Sequence, residues 1–212
     1  MDIAIIDYGI GNLRSAEKAF QHLGFDAMLT RDPAALETAK KIVLPGVGNF
    51  GECVNSLHAY GFVEPLRAAV IAGKPLLGIC VGLQMLFQGS EESPDVKGLG
   101  LLNGFVRRFS GSVFERNNAE GVYLKIPQIG WNALEFSTPV HPLFSGMSPG
   151  SHVYFVHSFH AVPDGKSDVL AWSDYGGPFC AAAGRDNIMG VQFHPEKSQS
   201  VGLSILRNFG SL

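Results

Sequence analysis

The sequence predicts an α/β fold: an open mixed sheet, mostly parallel, flanked by helices. Three observations carry this expectation. Over the first 90 residues, short apolar runs alternate with helical patterns, and parallel neighbours need such crossovers. Beyond them the chain turns strand-rich, with turn signals between short apolar segments. The 212 residues, 46% hydrophobic and 17% charged, suffice for one buried core, so a single domain, 1–212, is expected.

Taken in order, Ile3, Ala4, Ile5 and Ile6 form a first buried strand. Asn12 is placed to cap a helix whose apolar face is Leu13, Ala16, Phe20 and Leu23, and Gly24 ends it. Residues 25–29 read as a second strand and 41–44 as a third, stopped by Pro45-Gly46-Val47-Gly48. Helices follow at about 52–60 and 62–72, then a strand through Pro75-Leu76-Leu77 and a helix over 83–87. The polar stretch 89–97 reads as a mobile loop. Later strands are expected at 105–109, 131–136, 153–159, 169–172, 179–183 and 188–193, and a last helix at roughly 200–209.

Composition narrows the function. A net charge of −3 without a basic run gives no pull toward nucleic acid or membrane surfaces. Cys53, Cys80 and Cys180 are an odd number without close spacing, which argues against a disulfide framework or a zinc site and fits a reducing cytoplasm. The opening residues read as neither a signal peptide nor a membrane span. His152, His157 and His160 fall on one expected strand, where alternation sends His157 to the other face, so no metal is expected. Tyr8-Gly9-Ile10-Gly11-Asn12 carries two of three glycines of a dinucleotide loop, with Arg14 at the third, so no cofactor is expected.

Two motifs carry chemistry. Gly78-Ile79-Cys80-Val81-Gly82, between a strand and a helix, has the pattern of a nucleophile elbow. Its glycines let the backbone turn where a Cβ would clash, and Cys80 lies at a helix N-terminus that favours a thiolate. Far downstream, Gln192-Phe193-His194-Pro195-Glu196 closes a strand. A thiolate nucleophile needs a base to protonate its leaving group and a third group to orient that base, and His194 and Glu196 fit these roles. Pro45-Gly46-Val47-Gly48 exposes amides at a strand end, suited to an oxyanion, with the Val81 amide as second donor; read alone it is also an ordinary β-to-α turn. Cys53 and Cys180 read as packing residues and Lys197 as a solvated lysine, while Trp131 is either core or surface, with core preferred.

With these motifs the chain resembles the class I, triad-type glutamine amidotransferases over essentially its whole length. Within that class it is most similar to the glutaminase subunits of imidazole glycerol phosphate synthases. The narrower match rests on the segments from Asp7 to Ser15, Pro45 to Gly48, Pro127 to Asn132, Tyr154 to Ser158 and His194 to Ser198. The resemblance implies a flavodoxin-like sheet and a Cys80, His194, Glu196 triad that hydrolyses L-glutamine. It implies oxyanion donors at Val47, after a backbone flip, and Val81. It places glutamine contacts at Gly48, Gln84 and the backbone of Ser158 and Phe159. It sets Asn12, Trp131, Tyr154 and Lys197 at an interface with a (β/α)8-barrel synthase subunit that receives the ammonia. Asn49 departs from the small residue often found in the family, which bears on loop packing alone.

Four other readings stand beside this one. The chain serves a different synthase with the same chemistry, it keeps the fold as a non-catalytic binding subunit, it is a free-standing cysteine hydrolase acting on γ-glutamyl peptides, or, most remotely, it is a nucleotide-binding protein using the glycine loop near Gly9.

Overall fold

The computed structural model describes residues 1–116, 121 and 123–212. Ile3–Ile6 (β1) is buried at every position, as a strand covered on both faces must be. Leu13–His22 (α1) follows, and Ala16 and Phe20 bury its apolar stripe. Asn12 stands at the N-cap without capping a backbone N–H; its Oδ1 accepts the Ser15 hydroxyl instead. Next come Ala27–Thr30 (β2), the single turn Ala35–Thr38 (α2) and Lys41–Gly46 (β3). The third strand thus runs two residues beyond expectation, through Pro45 and Gly46, which pair with Ile79 and Cys80. Proline is tolerated there because the ladder of β3 is ending.

Phe50–Ala59 (α3) and Val63–Ile71 (α4) lead into Leu76–Cys80 (β4) and the short helix Val81–Met85 (α5). Asn49 caps α3, its side chain accepting the Glu52 N–H at 3.1 Å. The stretch 89–97, expected as a mobile loop, is tied down instead. Gly89 bridges Lys97, Ser90 bridges Val106, and Glu92 and Ser93 accept the Phe50 and Gly51 amides. Its polar residues satisfy the open N-terminus of α3, which is why the stretch has no hydrophobic pattern.

The second half adds Gly104–Arg108 (β5), Gln128–Ala133 (β6), Glu135–Phe136 (β7), His152–His157 (β8), Phe159–Pro163 (β9), Val169–Asp174 (β10), Pro178–Arg185 (β11), Ile188–Val191 (β12) and Gln199–Ser211 (α6). The main sheet has the order β2-β1-β3-β4-β12-β11-β10-β7. Its first five strands are mutually parallel and the remaining three antiparallel. The pairs β5–β9 and β6–β8 form two antiparallel ribbons beside it. The expected strand over 153–159 breaks at Ser158, and its second half joins β5. His157 and His160, expected on opposite faces, therefore both pack on the Phe109 ring, with centroids at 5.1 and 4.9 Å. Among the described residues no helix is long and apolar enough to cross a membrane.

Candidate active site

Three neighbouring parallel strands, β3, β4 and β12, end at one edge of the sheet, and parallel strands put their C-terminal ends on the same side. Val47 and Gly48 leave the first, Cys80 ends the second and His194 follows the third. Segments distant in sequence meet here because their strands are adjacent in the sheet.

Cys80 has φ 57 and ψ −113, a backbone conformation that strains a non-glycine residue. The strain persists because the surroundings leave no alternative. A Cβ at Gly78 would meet the backbone of Gly82 at 2.7 Å, and one at Gly46 would meet the Gly82 nitrogen at 2.7 Å. The elbow helix α5 is only five residues long, so what its N-terminus offers is the free N–H groups of one turn and not a long macrodipole.

His194 and Glu196 are both almost wholly buried, with Nδ1 and Oε1 2.8 Å apart. Desolvation pulls the His194 imidazole down, but bonding to the Cys80 sulfur and to the Glu196 carboxylate outweighs it, and the ring ends well above its ordinary value. Its backbone is anchored as well. The His194 N–H donates to the Tyr154 carbonyl at 3.0 Å, and the buried Ser198 hydroxyl donates to the His194 carbonyl at 2.7 Å while accepting the Tyr154 N–H.

A 610 Å³ pocket opens over the sulfur. Val47, Gly48, Val81, Gln84, Ser158, Phe159 and His194 line it, and Asn12 and Lys197 stand in its wall. Glu196 lies behind His194 rather than in the pocket. Trp131 is 44% exposed, so the preference for core is corrected. Its ring meets Tyr154 edge-on at 5.9 Å, and the Lys197 ammonium lies 6.0 Å from the Tyr154 ring centroid. Trp131, Tyr154 and Lys197 thus form one continuous surface beside the pocket, and Ile129, 63% exposed, extends it.

Three contributors escape sequence reasoning. Gln192 is fully buried, accepts from the Gln84 side-chain amide at 3.1 Å and directs its own Nε2 to the Cys80 sulfur at 3.9 Å. Its place two residues before His194 was the available signal. Glu92 lines the pocket from the polar stretch 89–97, to which the sequence attaches no role. His157 also lines it, donating to the Phe159 carbonyl at 2.8 Å. Gln84 donates to the same carbonyl at 3.0 Å, and the Ser158 carbonyl accepts the Phe109 amide. The Phe159 carbonyl thus has both lone pairs engaged, while the Ser158 carbonyl keeps one. Cys180 is buried, donates to the Ala182 carbonyl, and has its thiol pushed up to about 12 by burial. Among the described residues no group of three His, Cys, Asp or Glu is placed to hold a metal.

The histidines give a pH expectation. Burial pushes His157 down to about 3, against the opposing pull of the Phe159 carbonyl. The unfolded ring takes up its proton near pH 6.5 and the folded ring only far lower, so this contribution to stability is intact above about pH 6.5 and is lost as pH falls toward 3. His194 has the opposite sign: its contribution is present below about pH 6.5 and fades as pH rises through its elevated folded value. Thermal melts between pH 6.5 and 5.0, where the His194 contribution is already complete, should show a falling Tm whose slope flattens in His157→Gln; an equal slope in the variant would remove His157 as the cause.

Comparison with known proteins identifies the family. The glutamine amidotransferase class-I family model matches residues 4–211. The imidazole glycerol phosphate synthase subunit HisH of Syntrophotalea carbinolica is 52% identical, over 99% of this chain and 100% of the relative. That of Geobacter metallireducens is 51% identical over 98% and 96%. A crystal structure of a glutamine amidotransferase superposes with a TM-score of 0.74 at 21% identity, covering 100% of both chains, a likeness of fold. With a mostly parallel sheet, a strained cysteine elbow and near-complete matches to these relatives, the chain belongs to the class I glutamine amidotransferases and, within them, to the HisH subunits of imidazole glycerol phosphate synthase.

Proposed function

We propose that this chain hydrolyses L-glutamine to glutamate and ammonia and passes the ammonia to a (β/α)8-barrel cyclase subunit, which makes imidazole glycerol phosphate and an aminoimidazole carboxamide ribotide in histidine biosynthesis. The observation that carries the reading is Cys80 on its strained elbow beside a His194 held by Glu196 at 2.8 Å. The whole chain, 1–212, acts as one cytoplasmic amidotransferase domain.

In the reaction the Cys80 sulfur attacks the side-chain carboxamide carbon of glutamine. The C–N bond breaks, the His194 proton goes to the departing nitrogen, and a γ-glutamyl thioester and ammonia result. His194 then takes a proton from water, whose oxygen displaces the sulfur and yields glutamate. Glu196 fixes the ring orientation and favours its cationic form. The Val81 amide and, once the strand 45–48 is set by the partner, the Val47 amide hold the oxyanion; one such donor is typically worth about 3 kcal/mol, roughly a hundredfold in rate. Gln192 keeps an N–H on the sulfur through both steps. Glu92, the one carboxylate in the pocket wall among the described residues, faces the substrate ammonium. Gly48, Gln84, Ser158 and Phe159 surround the rest of the amino acid. Asn12, Trp131, Tyr154 and Lys197 meet the barrel subunit. Their exposed aromatic surface suits an interface, where rings with one wet edge are favoured.

Glutamate release from glutamine tests this, measured with the purified chain alone and then with the barrel subunit and its nucleotide ligand. Near silence alone and strong release in the complex is the expected result. Full activity alone, unchanged by the partner, would instead place the chain among free-standing hydrolases, and silence in both would end the glutaminase reading.

A further inference from the structure

Cys53 lies near the start of α3, wholly buried, and its Sγ donates to the Val47 carbonyl at 3.3 Å. Burial raises its thiol, so the donor proton stays on the sulfur. Beside this thiol and in contact with it, the buried Tyr8 hydroxyl donates to the Pro45 carbonyl at 2.6 Å. The Ser56 hydroxyl, one turn further along α3, donates to the Tyr8 carbonyl at 2.6 Å and ties the two anchors together.

These bonds act on defined peptide units. The Pro45 carbonyl belongs to the Pro45–Gly46 peptide and the Val47 carbonyl to the Val47–Gly48 peptide. In a trans peptide, C=O and N–H point in opposite directions. With its carbonyl turned inward to the buried thiol, the Val47–Gly48 unit turns its Gly48 N–H outward. Gly48 is exposed and lines the pocket, with φ +86. The unit between the two anchored ones, Gly46–Val47, carries the Val47 N–H. Any rotation of that middle unit is therefore taken up between two fixed neighbours. That unit turns on the Gly46 ψ and Val47 φ torsions, and Gly46, having no Cβ, makes the first of them permissive.

We infer that Cys53 is a positioning residue for glutamine hydrolysis: its thiol clamps the Val47 carbonyl so that the Gly48 amide is presented to the substrate while the Gly46–Val47 peptide is left free to turn. This rests on the glutaminase reading above and goes beyond it, because Cys53 touches neither substrate nor triad. Losing an oriented contact that binds substrate and transition state alike raises KM and leaves kcat nearly unchanged.

The test uses Cys53→Ser, which keeps a donor, and Cys53→Val, which fills the space without one. Both are assayed in the complex with the barrel subunit. A second readout, the 13C chemical shift of the Val47 carbonyl in the chain alone, needs no turnover and reports the bonded group itself. The expected result is a KM for glutamine raised at least fivefold in Cys53→Val with kcat within twofold, KM nearer the native value in Cys53→Ser, and a Val47 carbonyl shift moved upfield in the valine variant only. Packing alone predicts the reverse order, since valine fills the site better than serine. Equal KM in the two variants, or a fall in kcat at constant KM, overturns the proposal. Should either variant fail to fold, the carbonyl shift in the other decides: a native shift in valine, or an upfield one in serine, overturns it. A native complex that releases no glutamate would overturn the glutaminase reading itself, and the carbonyl shift would still judge the clamp.

Discussion

Replacing Cys80 with alanine is expected to abolish glutamine hydrolysis while the chain still folds and binds the barrel subunit. The variant removes one sulfur atom from a residue that is 4% exposed and leaves His194, Glu196 and Gln192 in place. Alanine bears the same positive φ strain as cysteine, so the elbow gains no new penalty. The functional loss is of a different order. Removing a nucleophile from a triad costs on the order of a millionfold in kcat, because the remaining groups act only through it. Glutamate release should fall below detection, and co-elution with the barrel subunit should be unchanged. Ammonium salts should still drive the synthase reaction of the complex, since the later chemistry needs ammonia and not its source. Residual glutamate release at even a thousandth of the native rate would point to another nucleophile.

Gly82→Ala is expected to damage the fold severely although it adds a single methyl group. The added Cβ would overlap the Leu44 carbonyl oxygen and lie 3.0 Å from the Leu44 carbonyl carbon. These are backbone atoms of the strand that carries the oxyanion loop, so relief requires β3 and α5 to part. Overpacking of this kind costs about 3 kcal/mol or more, and for a chain of this length that is a Tm loss of roughly 6–12 °C. Gly73→Ala is the control. Gly73 has φ +84, and a Cβ added there would meet nothing within 4 Å, so it reports backbone strain alone. That costs about 1 kcal/mol. If the two variants melt alike, the close approach of elbow and strand does not hold the site together.

Much of this was legible in the chain. Four isoleucine and alanine positions in β1 are apolar on both faces, and such a run has few alternatives to a covered parallel strand. The cysteine elbow declared itself because two glycines flank a nucleophile between strand and helix, a pattern that packing alone rarely requires. His194 and Glu196 were legible because proline stands between them: it keeps His194 extended and opens the tight turn Pro195–Lys197 that carries Glu196. What stayed hidden was set by neighbours distant in sequence. Nothing around Ser158 announces a strand break; the break follows because residues 159–163 find a partner in β5. The polar stretch 89–97 looks mobile until the bare amides of α3 are seen beside it. Trp131 resembles a core residue by composition, and only the β6–β8 ribbon turns it outward beside Tyr154. Gln192 and Ser198 read as bystanders because a buried amide or hydroxyl acquires meaning only from the partner it reaches.

The place of β12 between β4 and β11 also has a consequence for the order in which the protein comes to life. Gln192 and Cys80 are 112 residues apart, and the strand leading to Gln192 must slot into the centre of the sheet. During synthesis the earlier half emerges first and can begin to organise while the rest is still being made. Until the later strand arrives, β4 is an open edge, prone to pair with whatever strand it meets, and long-range insertion of this kind is slow. The cysteine is then present without its base. On the reading proposed above, an unfinished chain therefore cannot hydrolyse glutamine, and the strand that closes the β4 edge against aggregation also delivers the base, leaving the partner to set the oxyanion strand.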